Sequence, residues 1–338
     1  MEHPKYIVTV DLDLPPLRSG LVPYLAFSQF ASAGGLKGEL FGSIRRLWTL
    51  LKWARHCDVM VLDSVSGKIH PDLLACIFMR FFPKRPAVVM ADDMWHKGGT
   101  LKYLFQKTLI QLADRSIQRY AVHSLGEEKI FAQLWGIAPE KVKVCIYNYT
   151  FTDDEINAGA MATKGYIFAG GNPSRDYDLL LETARQLPHR QFIIATRVLN
   201  GHKDIPANVK VVQVSHPEFI RLMREADMVI TPLVSGRTKS SGQQTYLNAM
   251  RMGKISIVNG KDVLGVTDYI QNYINGIITD GTQQGFVEGI EWVYDSANRD
   301  AVNKMEQLAQ ETVKEFTYAR YLQTMSTIVE EAVAEANA

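Results

Sequence analysis

"DMVITPLVSGRTKSSGQQTYLNAMRMGKISIVNG", residues 227–260, reads as one strand–loop–helix–strand unit. "DMVITPL" and "ISIVNG" are short runs rich in β-branched residues, and between them "SSGQQTYLNAMRMGK" carries a helical period. Two strands separated by a helix pair in parallel, so this stretch sets a βαβ architecture. Tyr246, Leu247 and Met250 form the inward helix face and Gly253 ends it. The first turn follows a loop with two cations, Arg237 and Lys239, and opens on Ser240, Ser241 and Gly242. Unpaired N–H groups of such a helix start, with the positive end of the helix dipole behind them, form an anion site. Gly242 permits close backbone approach, and the serines can cap the helix or donate to a ligand. An ordinary capped core helix has the same pattern, so this stretch alone leaves both readings open.

The unit recurs in both directions along the chain. Upstream strands are "YIVTV", "CDVMVLD", "AVVMA", "SIQRYAVH" and "KVKVCIY", with helical stretches such as "SIRRLWTLLKWARH" and "TLKYLFQKTLIQLADR" between them. The second half contributes "YIFAGG", "QFIIATR", "VKVVQV" and "GIITD". The fold class is therefore α/β, two doubly wound Rossmann-like domains facing a cleft formed by the carboxyl ends of their strands. We set an N-terminal domain at residues 1–150, a linker at 151–165 in a stretch without period, and a second domain at 166–315. Residues 316–338 form a final helix that can cross back to the first domain.

Composition limits the function classes. At 338 residues, 46% hydrophobic and 22% charged, the chain reads as a soluble protein with room for two cores. A net charge of +1 argues against a nucleic-acid partner held by bulk electrostatics. Cys57, Cys76 and Cys145 lack metal-site or disulfide spacing and read as buried thiols of a reducing compartment. "MEHPKYIVTV" has no signal-segment character, and no uncharged apolar run is long enough to span a bilayer. A cytoplasmic location follows as an expectation, with peripheral contact at the inner face of the membrane through residues 43–56. There Ile44, Leu47, Trp48 and Leu51 share a helical face ringed by Arg45, Arg46, Lys52 and Arg55. Packing of the same face on the first sheet is the competing reading.

A second glycine turn reinforces the anion site. In "YIFAGGNPSRDYDLLLETARQL", residues 166–187, Gly170 and Gly171 let a ligand lie against the backbone, and Arg175 stands ahead of the helix with a fork suited to phosphate. The GxGxxG fingerprint of dinucleotide enzymes is absent.

These residues resemble the retaining glycosyltransferases of the GT-B fold, close to family 4. The segments carrying the resemblance are "FAGGNPSRDYDLLLETA", "HPEFIRLMREADMVITPL", "SSGQQTYLNAMRMGKISIVNGKDVLGVTDYIQNYINGII" and, in the first half, "DRSIQRYAVHSLGEEKIFAQLWGIAPEKVKVCIYN". The resemblance implies a nucleoside diphosphate sugar as donor, UDP or GDP foremost, with no further cofactor and no metal. It also implies a hydroxyl acceptor, glycan or lipid-linked. Arg175 and Lys239 fall on the donor diphosphate, with Gly170, Gly171, Ser240, Ser241, Gly242, Gln243, Gln244 and Thr245 around it. Many members carry two glutamates about the helix, one for the donor sugar and one for the ribose; Ser240 and Asn248 stand at those positions here. In "ADDMWHKGG", Asp92, Asp93 or His96 would orient the acceptor or the donor sugar, or else serve as turn caps and a solvated loop residue. Ser19-Gly20, after the first strand, is either a phosphate-approaching loop or ordinary turn chemistry. The loop holding His216 lies beside the nucleotide base in relatives, with His216 itself a helix-start residue. The rival functions are an epimerase of the same fold and a noncatalytic nucleotide-sugar-binding protein.

Overall fold

The computed structural model describes residues 6–8, 30, 35–63, 69–91, 95, 97–159, 162–172 and 174–337. The chain divides into two compact units: residues 1–146 with 319–338, and residues 147–318.

The first unit contains β1 (Tyr6–Val8), α1 (Gly35–Trp53), β2 (Val59–Asp63), α2 (Pro71–Met79), β3 (Ala87–Ala91), α3 (Thr100–Asp114), β4 (Arg119–Val122), α4 (Leu125–Trp135) and β5 (Val142–Val144). Its strands are parallel and ordered β1-β2-β3-β4-β5. β2 and β3 are buried along their whole length, as uninterrupted apolar runs of a sheet covered on both faces should be. Because the order never reverses, successive right-handed crossovers place α1, α2 and α3 on one side of the sheet. Packing of α1 against α2, and of α2 against α3, agrees with that placement.

The second unit contains α5 (Asp153–Asn157), β6 (Tyr166–Gly170), α6 (Tyr177–Gln186), β7 (Gln191–Ala195), β8 (Val209–Val212), α7 (His216–Glu225), β9 (Met228–Thr231), α8 (Gln243–Arg251), β10 (Ile255–Asn259), β11 (Ile277–Thr279), α9 (Gln283–Tyr294) and α10 (Arg299–Val313). The parallel sheet runs β11-β10-β9-β6-β7-β8. The order reverses between β6 and β9, and the carboxyl ends of strands flanking such a switch point open a crevice. The last helix, α11 (Tyr318–Ala336), lies almost wholly in the first unit, where its Glu331 meets Arg119 and Lys143, each at 3.2 Å.

Of the stretch read as a linker, residues 151–159 and 162–165 fall in the second unit, where Thr152 and Glu155 form a capping box on α5. The α1 face divides. Leu47 and Leu51 pack on the core while Ile44 and Trp48 face outward, because a helix lying on a sheet buries only one stripe. Arg46 is no surface cation. It is buried and bidentate on Asp72, at 2.7 and 2.8 Å.

Candidate functional site

The loops after β6 and β9 are tied together at the switch point. Asp176 N donates to Pro232 O at 2.9 Å, Val234 N to Ser174 O at 3.1 Å, and Arg175 bridges to Leu233. Asn259, at the end of β10, grips the second loop by accepting from Leu233 N (2.6 Å) and donating to Leu233 O (2.8 Å).

Arg175 sits where these loops meet the start of α8. Its Nε donates to Gly170 O at 3.2 Å and its Nη2 to Thr245 Oγ1 at 2.8 Å. Burial lowers its pKa from the ordinary guanidinium value, and the hydroxyls of Tyr177 and Tyr246 act in the opposite direction. Glycines make room for it on two sides. Gly171 has φ 106°, and a Cβ there would lie 3.0 Å from Arg175 Nη2. Gly242, the N-cap of α8, has φ 84°; a Cβ there would lie 2.9 Å from Leu233 Cδ2 and 3.4 Å from Arg175 Nη1. With no side chain at the cap, the first turn of α8 presents backbone N–H groups beside a guanidinium, an arrangement that attracts a phosphate.

The structure thus gathers Gly170, Gly171, Arg175, Gly242 and Thr245. Lys239 and Ser240 are buried, and the Gln243 amide donates to Ser240 Oγ. Ser241 is partly exposed, and the exposed Gln244 donates to Tyr147 Oη at 3.2 Å. Asn248 is already engaged. Only 2% exposed, it accepts from Thr150 N and Phe151 N, both at 3.0 Å, and donates to Thr150 Oγ1 at 2.9 Å. Its side chain therefore fastens the backbone at 150–151, and a ribose hydroxyl would have to displace those bonds. His216 opens α7 and meets Glu155 at 2.9 Å. Asp92, Asp93, His96 and the Ser19-Gly20 turn lie outside the described residues.

Beside the glycine loop, a cavity of about 400 Å³ opens at the carboxyl ends of β6, β7 and β8. Asn172, Thr196, Arg197, Gln213 and Phe219 are among its lining residues. Asn172 Oδ1 accepts from Arg197 N (2.9 Å) and Thr196 Oγ1 (3.1 Å), while Gly171 O accepts from Thr196 Oγ1 (2.9 Å) and Tyr177 Oη (2.6 Å). These bonds tie the glycine loop to the residues that follow β7 and to the start of α6. The sequence reading did not single out Asn172, Thr196, Arg197 or Gln213. Their placement at adjacent strand ends, after "YIFAGG", "QFIIATR" and "VKVVQV", was the available signal. The cavity adjoins the Arg175 cradle through Gly171, so an anion and an attached ring system could occupy one continuous surface.

No family model matches this chain, and no curated protein sequence does either. Solved structures do. A glycosyltransferase from Rickettsia africae superposes with TM-score 0.67 at 12% identity over 98% of this chain and 99% of that one. Anabaena HepE in complex with UDP gives 0.65 at 15% over 86% and 84%, and HepE in complex with UDP-glucose gives 0.65 at 16% over 84% and 82%. At these identities the likeness is one of architecture: two Rossmann-like parallel-sheet units of the GT-B type.

Proposed function

We propose that the protein is a glycosyltransferase that takes a sugar from a nucleoside diphosphate donor and passes it, with retention and without a metal, to a hydroxyl acceptor. One observation carries this reading: the Arg175 guanidinium, cradled by Gly171 and Gly242 beside the uncapped start of α8. Glycosyl transfer builds negative charge on the departing diphosphate, and fixed donors with a cation stabilise it without reorganising. The cavity between Asn172 and Phe219 would take the base, and UDP is favoured because HepE was solved with UDP and with UDP-glucose. Acceptor recognition falls to the first unit, with Asp92, Asp93 or His96 as orienting groups. The reading extends to a glycan or lipid-linked acceptor in polysaccharide or glycolipid synthesis, in the cytoplasm, with membrane contact through residues 43–56.

A noncatalytic nucleotide-sugar binder would use the same donor site, and Ser240 and Asn248 at the positions of the two glutamates favour it. The deciding experiment is thermal shift of the native chain and Arg175→Ala with UDP, GDP, ADP, CMP and TDP and their sugars, without metal, followed by hydrolysis and transfer assays. Selective stabilisation by one diphosphate, lost in the variant, supports the donor site. Turnover then separates enzyme from binder, whereas indifference to every nucleotide at millimolar concentration sinks both readings.

A further inference from the structure

We propose that the outward face of α1, α2 and α3 is a single docking surface for an anionic lipid bilayer. The inference enlarges the contact assigned above to residues 43–56 and rests on that part of the reading; it does not depend on glycosyl transfer.

Fourteen large hydrophobic side chains stand exposed among the described residues, and ten of them lie on these three helices or the turn after α2. On α1, Phe41 and Trp48 follow one another about two turns apart, and Trp48 is 70% exposed. Phe78 lies in the last turn of α2 and Phe81 in the turn beyond it, 77% exposed. On α3, Leu101 is 85% exposed and shares a stripe with Phe105. The unreversed strand order brings all of these to one side of one sheet, so the ten form a patch rather than a scatter.

Charge identifies the occupant. Residues 35–115 hold thirteen lysines and arginines against seven acids, an excess of six, while the whole chain carries +1. Arg45, Lys52, Arg85 and Lys102 are exposed among the apolar groups. A second copy of this face would meet it with like charge across a symmetric interface, whereas anionic headgroups complement it. Tryptophan and phenylalanine interleaved with lysine and arginine is also the composition of helices that lie in a bilayer interface. Among the described residues no helix is long and apolar enough to cross a membrane, so the contact is one of helices lying on the surface.

The test is flotation of the full chain with vesicles of equal parts phosphatidylglycerol and phosphatidylcholine, against phosphatidylcholine alone. The native chain should bind the anionic vesicles selectively and release as salt rises. Trp48→Ser on α1 and the combined Phe81→Ser, Leu101→Ser, Phe105→Ser variant should each bind roughly ten-fold more weakly, with Tm unchanged because the replaced groups are exposed. If the combined variant floats like the native chain while Trp48→Ser does not, α1 alone makes the contact and the three-helix surface is overturned. Absence of native binding overturns both contacts. A concentration-dependent dimer, lost in the variants without any vesicle binding, would make the face a self-association surface instead. UDP stabilisation of the same samples reads the donor site independently.

Discussion

The Arg175 guanidinium donates to the Thr245 hydroxyl across 2.8 Å, joining two residues 70 positions apart at the crevice between β6 and β9. This bond holds a cation against the first turn of α8. Arg175→Ala should weaken nucleoside diphosphate binding roughly ten- to hundred-fold, and Arg175→Lys should recover only part of it, since one ammonium nitrogen replaces the separate Nε and Nη2 donors to Gly170 O and Thr245. Isothermal titration with UDP measures both; equal affinity across the three proteins would remove Arg175 from the site.

Gly242→Ala should destabilise the second unit by about 1–3 kcal/mol and weaken donor binding. The substitution forces a left-handed residue and drives a methyl into Leu233 and Thr231, 2.9 and 3.1 Å away. Denaturant unfolding provides the stability and UDP titration the affinity; a variant matching the native chain in both would contradict the close packing of this cap.

Asn248→Ala should cost about 1–3 kcal/mol by leaving the Thr150 and Phe151 amides without their acceptor. UDP affinity of the folded variant should be unchanged. Lost affinity with an unaltered Tm would assign Asn248 to the ribose instead.

Asp72→Ala should be among the most damaging substitutions in the first unit, at about 3–5 kcal/mol, because it leaves Arg46 buried without its bidentate partner. Leu101→Ser, on the exposed face of α3, is the control that should leave unfolding unchanged.

The three thiols should be silent to Ellman's reagent at pH 8 in the native protein and all react in denaturant. Burial raises each, taking Cys57 from 9.0 to about 12 and moving Cys76 and Cys145 upward as well. A raised folded pKa means that the unfolded chain loses the proton first. Stability from these groups is therefore complete below pH 9 and declines as pH rises through the interval up to 12 for Cys57. A native thiol that reacts within minutes would show its site to be open.

The sequence by itself determined the strands and helices and the kind of sheet they form. "DMVITPL", "ISIVNG" and "YIFAGG" are short, mainly apolar runs, and such runs alternating with amphipathic helices favour a parallel sheet covered on both sides. It also marked Gly171, Arg175 and Gly242, because backbone freedom and a forked cation are properties of residue types. The tertiary structure alone decided how those residues are used. Strand order placed the switch point between β6 and β9, and that depends on which distant strands pair. Asn248 is a polar residue in the second turn of α8, which suits a ribose as well as a backbone; only the approach of residues 150–151 committed it to the backbone. Arg46 reads as one surface cation among four until Asp72, 26 positions on, draws it inward. In each case the deciding partner is remote in sequence, and local pattern carries no information about a contact made by a different element.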